Sequence, residues 1–187
     1  MMTADEYLEL EMRTEYRNEY VNGEAFAMSG ASPRHVVLAS NLLGGLAPQL
    51  KGSPCRALTS DLRIRTPDRG MYSYPDCVVV CGPMQIETRN GAQTVLNPTL
   101  IFEVLSPSTE AYDRGLKFEK YRSNETLKEY VLVSQHRILL ERFAKQPDGS
   151  WQYTAHSDPD ETITLSSVAA SLKLSDIYDG VFAIPEE

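Results

Sequence analysis

Two carboxylates and one lysine stand where they could act together: Asp76 after Pro75, Glu103, and Lys117. Asp76 opens the apolar run Cys77-Val78-Val79-Val80-Cys81, and Glu103 lies inside Leu100-Ile101-Phe102-Glu103-Val104-Leu105. Each run has the length and the β-branched or aromatic content of a buried strand. A carboxylate inside such a strand is costly unless it is paired, hydrogen-bonded or bound to a metal. Side chains alternate along a strand, so Glu103 shares a face with Ile101 and Leu105. If the two strands are neighbours, Asp76 and Glu103 converge on one cation. Magnesium takes oxygen ligands and often uses only one or two carboxylates, with substrate phosphate completing the shell. Taken singly, each residue has a plainer reading. A Pro-Asp pair at a strand start is turn chemistry, and a strand glutamate can simply pair with an arginine. The combination with Lys117 favours a cation site.

The elements that must position these residues can be followed along the chain. Thr3 with Glu6 three residues on forms a capping box for a short N-terminal helix. Asn22-Gly23 between two short alternating runs predicts a tight hairpin. Ser32 and Pro33 suit the N-cap and first position of a longer helix that should end near Gly44-Gly45 or Pro48. On it, His35 lies at the N-terminal end of the stripe Leu38, Leu42 and Leu46, a place that usually holds a structural histidine. Short strands are expected over Cys55 to Leu58 and Asp61 to Arg65, and a loop over Glu87 to Gly91. After Glu103, a helix over Tyr112 to Arg122 places Arg114, Lys117, Phe118 and Tyr121 on one side, with Lys120 well away. Lys117 is therefore the stronger candidate and Lys120 the weaker, although a solvated helix charge is the plain alternative. Strands at Leu127 to Val133, Ile138 to Phe143, from Trp151, and at Thr162 to Leu165 follow, with a closing helical turn at Leu174 to Tyr178. The fold class implied is α/β (α+β), in one domain spanning residues 1–187.

Bulk properties bound the function. No apolar run approaches the ~18 residues of a membrane span, and the acidic N-terminus does not resemble a signal peptide, so a cytoplasmic protein without a membrane partner is expected. Cys55, Cys77 and Cys81 form an odd set without C-x-x-C spacing, so free buried thiols are expected rather than zinc ligands or disulfides. The net charge of −8 argues at first against a polyanionic partner. The acid is concentrated at the ends: −5 over residues 1–30 and −7 over 146–187, against +3 over 31–98 and +1 over 99–145. A local phosphate-binding surface is thus compatible with the sequence, though nucleic-acid binders usually cluster base far more strongly.

The series Gly23-Glu24, Ser32-Pro33-Arg34-His35, Ser60-Asp61-Leu62-Arg63, Pro75-Asp76, Glu103 to Thr109, Asp113 to Lys117 and Glu129 to Val133 resembles the Uma-two (Uma2) family. These are bacterial proteins, abundant in cyanobacteria, of the PD-(D/E)XK nuclease superfamily. The resemblance runs roughly from Thr3 to Val181, and Glu-Val-Leu-Ser-Pro-Ser-Thr is its most specific piece. It implies a restriction-endonuclease-like mixed sheet flanked by helices, a Mg²⁺-dependent endonuclease (Mn²⁺ substituting) and DNA as substrate. Asp76 and Glu103 are implied as metal ligands. The superfamily's lysine two residues after the glutamate is replaced by Leu105, and Lys117 on the next helix matches the family's relocated lysine. Glu24 and His35 match further positions near the site: Glu24 as outer ligand or base, His35 orienting water or binding phosphate. Asp61 matches a recurrent acid without an assigned role. Arg34, Arg63 and Arg65 are candidate phosphate contacts, and a homodimer is expected by analogy with nucleases that cut both strands. The competing class is a catalytically silent nuclease fold used for DNA binding or protein interaction, which the acidic total and Leu105 favour. A third class is a metal-dependent hydrolase of small phosphoesters.

Overall fold

The structure, a computed structural model, describes residues 1–185. In chain order it comprises α1 (Ala4–Glu11), β1 (Asn18–Val21), β2 (Glu24–Ala27), α2 (Pro33–Leu50), β3 (Cys55–Thr59), β4 (Ile64–Arg65) and β5 (Met71–Ser73). Then come β6 (Cys77–Cys81), β7 (Ile86–Arg89), β8 (Ala92–Val95), β9 (Leu100–Leu105) and α3 (Glu110–Tyr112). A π-helical turn (Asp113–Lys117) joins α3 to α4 (Phe118–Tyr121). The chain closes with β10 (Glu129–Ser134), β11 (Leu140–Lys145), β12 (Trp151–His156), β13 (Thr162–Leu165), β14 (Ala170–Lys173), α5 (Leu174–Ile177) and a 3-10 turn (Val181–Ala183).

Among the described residues the strands form two six-stranded sheets and a two-stranded hairpin. The central sheet runs β12-β11-β10-β9-β6-β3 and is mixed: β9 and β10 are parallel, and the other neighbours are antiparallel. The second runs β2-β1-β5-β4-β8-β7, and β13 pairs with β14. One face of the central sheet, carrying Val79, Phe102, Val131 and Val133, packs on the Leu38, Leu42, Leu46 and Leu50 stripe of α2 and on the β13–β14 hairpin. The other face, carrying Val78, Ile101, Leu105 and Leu132, packs on Tyr121 and on Val21, Ile64 and Met71 of the second sheet. The mixed sheet flanked by helices is therefore present, with the N-terminal helix and hairpin extended into a second sheet. No helix is long and apolar enough to cross a membrane among the described residues.

Local chemistry explains most of the elements. Thr3 and Glu6 cap α1 reciprocally, and Asn22 and Gly23 both adopt positive φ at the first hairpin. The departures have physical causes. Helix α2 passes Gly44-Gly45 and ends at Leu50, because Leu46 and Leu50 continue the fully buried stripe. The segment expected as a loop near residues 87–91 is the β7–β8 hairpin, turned by Asn90 and Gly91, both at positive φ. Only Ile64–Arg65 of the run from Asp61 pairs as strand, and β14 was not anticipated. The cysteine expectation is overturned: Cys55 and Cys81 stand opposite each other in the β3–β6 ladder and form a disulfide, leaving Cys77 free and buried. Sequence spacing cannot reveal this pairing, because strand register, not separation along the chain, brings the two thiols together.

Candidate active site

Strands β6 and β9 run antiparallel with Cys77 opposite Phe102 and Val78 opposite Ile101. One step further in that register sets Asp76 across from Glu103. Alternation puts both on the face turned towards the second sheet, Asp76 with Val78 and Glu103 with Ile101.

Asp76 is held at both oxygens. Its Oδ2 accepts the Val104 backbone N–H at 2.7 Å, and its Oδ1 lies 2.7 Å from His35 Nε2. His35 is third in α2, where its backbone N–H donates to the N-cap Ser32 hydroxyl. Its ring thus reaches Asp76 from the helix end at the sheet edge, an outer-shell arrangement of the kind that orients a ligating carboxylate.

Glu103 is 3% exposed. Its Oε1 accepts the Tyr121 hydroxyl at 2.8 Å and lies 3.0 Å from Lys117 Nζ. Burial pushes its pKa well above the usual carboxylate value; Lys117 opposes that, and the negative charges of Asp113, Asp76 and Glu19 add to it.

Lys117 is itself buried and stands 3.0 Å from Glu19 Oε1 and 3.4 Å from Asp113 Oδ1. Burial alone would lower its pKa, but Glu103 and Glu19 outweigh it and hold the ammonium well above its ordinary value. The π-helical turn widens the backbone just where Lys117 and Asp113 turn inward, and such bulges occur often at functional sites. Tyr130 anchors this turn by donating to the Asp113 carbonyl at 2.9 Å. Lys120 instead lies near the surface, 3.4 Å from Asp68.

The structure thus brings Asp76, Glu103, Lys117 and His35 together. Glu24 is exposed on β2, and the buried acid that β1 contributes is Glu19. Glu19 was missed by sequence reasoning. The available signal was its alternation with Val21, which places both on the inward face of β1. Asp61 is exposed and pairs with Arg17 at 2.6 Å. The three arginines are engaged within the protein. Arg63 is buried against Thr94, Tyr74 and Glu11; Arg65 pairs with Glu87; Arg34 donates to the Ile184 carbonyl.

The donor set suits a hard cation. Four carboxylates, Asp76, Glu103, Glu19 and Asp113, share one ammonium and one imidazole, so the cluster carries excess negative charge in a buried setting. Among the described residues no group of three or more His, Cys, Asp or Glu is placed so that it could hold a metal ion. A magnesium site needs only one or two protein carboxylates, with water and substrate supplying the other ligands.

The family model named Uma2, described as "Putative restriction endonuclease", matches residues 4–176. The chain is 36% identical over 180 residues to the "Uncharacterized protein slr1290" of Synechocystis sp., covering 96% of this chain and 93% of that protein. It is 34% identical over 154 residues to "Uncharacterized protein sll1609" of the same organism, covering 82% and 86%. In three dimensions it is similar to a crystal structure described as a "putative nuclease belonging to DUF820" from Anabaena variabilis. The TM-score is 0.77 at 18% identity, over 97% of this chain and 99% of that one, a likeness of fold.

Proposed function

The chain belongs to the Uma2 family, and from its site we propose that it is a metal-dependent endonuclease hydrolysing phosphodiester bonds in DNA in the cytoplasm. The observation that carries this reading is the buried, over-acidic cluster in which Asp76 and Glu103 face each other on adjacent strands with Lys117 against Glu103. Asp76 and Glu103 are the residues that hold Mg²⁺, or Mn²⁺ in its place. Bound there, the cation supplies Lewis acidity, lowering the pKa of a water and neutralising phosphate charge.

The rest follows from the chain's own groups. His35 and the Val104 N–H fix Asp76 in one orientation. Tyr121 and Lys117 do the same for Glu103. Lys117, held charged by Glu103 and Glu19, offers a fixed positive charge to the phosphate as negative charge develops in the transition state. This is the role that Leu105, on the strand, lacks the chemistry to fill. Two such sites in a homodimer suit a duplex with two strands to cut, which light scattering of the protein on DNA tests.

A second reading, a silent nuclease fold that binds DNA or protein, is favoured by the sequestration of Arg63 and Arg65 in internal pairs. The deciding experiment is Mg²⁺- or Mn²⁺-dependent cleavage of plasmid and single-stranded DNA beside an Asp76→Ala control. Nicking that disappears in the control supports the nuclease. Neither cleavage nor metal binding by calorimetry moves the assignment to the binding module.

A further inference from the structure

Gln135 follows directly on β10, whose last residue Ser134 is level with Leu105 at the end of β9. It therefore sits at the carboxyl edge of the parallel pair, the edge at which ligands of α/β sheets bind. The residue is buried, at 5% exposure. Its Oε1 accepts the Ser32 hydroxyl at 2.6 Å. That length suits O–H···O better than N–H···O and so fixes the amide orientation. Ser32 also accepts the backbone N–H of His35, and His35 reaches Asp76. The amide is thus tied by one hydroxyl to the outer shell of the candidate site.

With Oε1 taken, only the Nε2 donors remain. They have no hydrogen-bond partner among the described residues, and Nε2 keeps some contact with solvent. A donor-only group recognises an acceptor. The charge beside it says which kind. Helix α2 runs 18 residues with its N-terminus at Ser32, and its first turn holds no acidic residue. The positive end of its dipole, which the Asp76 carboxylate meets only through the His35 ring, favours an anion.

We propose that Gln135 contacts the substrate, its Nε2 donating to a phosphate oxygen beside the scissile phosphodiester. This rests on the nuclease reading and adds a binding residue to it. Gln135→Glu is the informative variant, since it keeps the acceptor for Ser32 and replaces the donor with an anion. Gln135→Met removes both polar atoms at similar volume. The measurements are kcat and KM with Mg²⁺ on oligonucleotide duplexes of several sequences, and Kd by anisotropy with Ca²⁺ in place of Mg²⁺. Thermal melts confirm that each variant is folded. The expected result for Gln135→Glu is a rise of about tenfold in KM and Kd, the scale of a lost hydrogen bond to a charged group. It should be uniform across sequences, as a phosphate contact requires, with kcat little changed; Gln135→Met should lose less. Unchanged KM and Kd in both folded variants, a loss in kcat alone, or a loss confined to some sequences would overturn it. If the wild type neither cleaves nor binds DNA, the nuclease reading falls and this inference falls with it. If the wild type cleaves and the variants match it, only this inference falls.

Discussion

The Nζ of Lys117 lies 3.0 Å from Oε1 of Glu103, although one residue stands on a helical turn and the other inside a central strand. Both are buried, so neither charge has water to fall back on. Removing the lysine leaves Glu103, Glu19 and Asp113 without their shared buried counter-charge and costs about 3–5 kcal/mol. Lys117→Met should therefore lose about that much stability in urea unfolding and lose DNA cleavage. Lys120→Ala breaks only an outer pair with the half-exposed Asp68, so it should cost less than about 1 kcal/mol and leave cleavage intact. A stable Lys117→Met with an unstable or inactive Lys120→Ala would exchange the roles given to the two lysines.

The same cluster predicts an unusual response at Glu103. Its folded pKa is raised by burial and by the acids around it. A group whose folded pKa lies above its unfolded value contributes stability at low pH and loses it as pH rises towards the folded pKa. In the metal-free protein, kept in EDTA, stability should thus fall as pH rises from about 4.5, the ordinary value of a glutamate. Glu103→Gln removes the penalised charge and should flatten that decline. At pH 8 it should be more stable than the wild type while losing cleavage, the trade-off expected of a strained functional group. Melting temperatures of the two proteins across pH, in EDTA, decide it. A Glu103→Gln that melts below the wild type at pH 8 would show that the ion pair stabilises more than the acids destabilise.

How much of this could be read from the sequence depends on the range of the interaction. Asp76 and Glu103 were legible because strand alternation is local and an acid in an apolar run is conspicuous. The Asn22-Gly23 hairpin and the Thr3 cap are local as well. Asn90-Gly91 carries the same turn signal, but the strand before it, β7, is the edge of the second sheet and carries the polar Glu87 and Arg89. Glu19 was illegible in practice: its value depends on β1 packing against the central sheet, a contact set by pairing with β5. The inward turn of Lys117 was read only in part, since regular helical spacing does not anticipate the π-helical turn that aims it.

His35 should act through Asp76. It is held by Ser32 and lies 2.7 Å from Asp76 Oδ1, so its loss frees the carboxylate to rotate. Removing an outer-shell partner of this kind typically costs 10–100-fold in metal affinity. Calorimetric titration of His35→Ala with Mn²⁺ should show a weakening in about that range. Unaltered affinity would place His35 elsewhere in the chemistry, or in structure alone.

The disulfide gives a prediction independent of the site. Cys55 and Cys81 are 26 residues apart and close the edge strand β3 onto β6. A loop of that size is expected to stabilise the fold by about 3 kcal/mol, chiefly by restricting the unfolded chain. The double substitution Cys55→Ala and Cys81→Ala should therefore lower the melting temperature by about 6–12 °C, since each kcal/mol shifts a chain of this size by about 2–4 °C. The reducing agent TCEP should lower the wild type similarly and leave the double variant unmoved. Cys77, with no exposed surface, should stay silent throughout. Alkylation of the folded protein followed by mass spectrometry should add no label before reduction and two after it, with the third appearing only in denaturant. Three labels on the folded, reduced protein would mean that losing the disulfide releases β6 along its length, and with it the strand that presents Asp76.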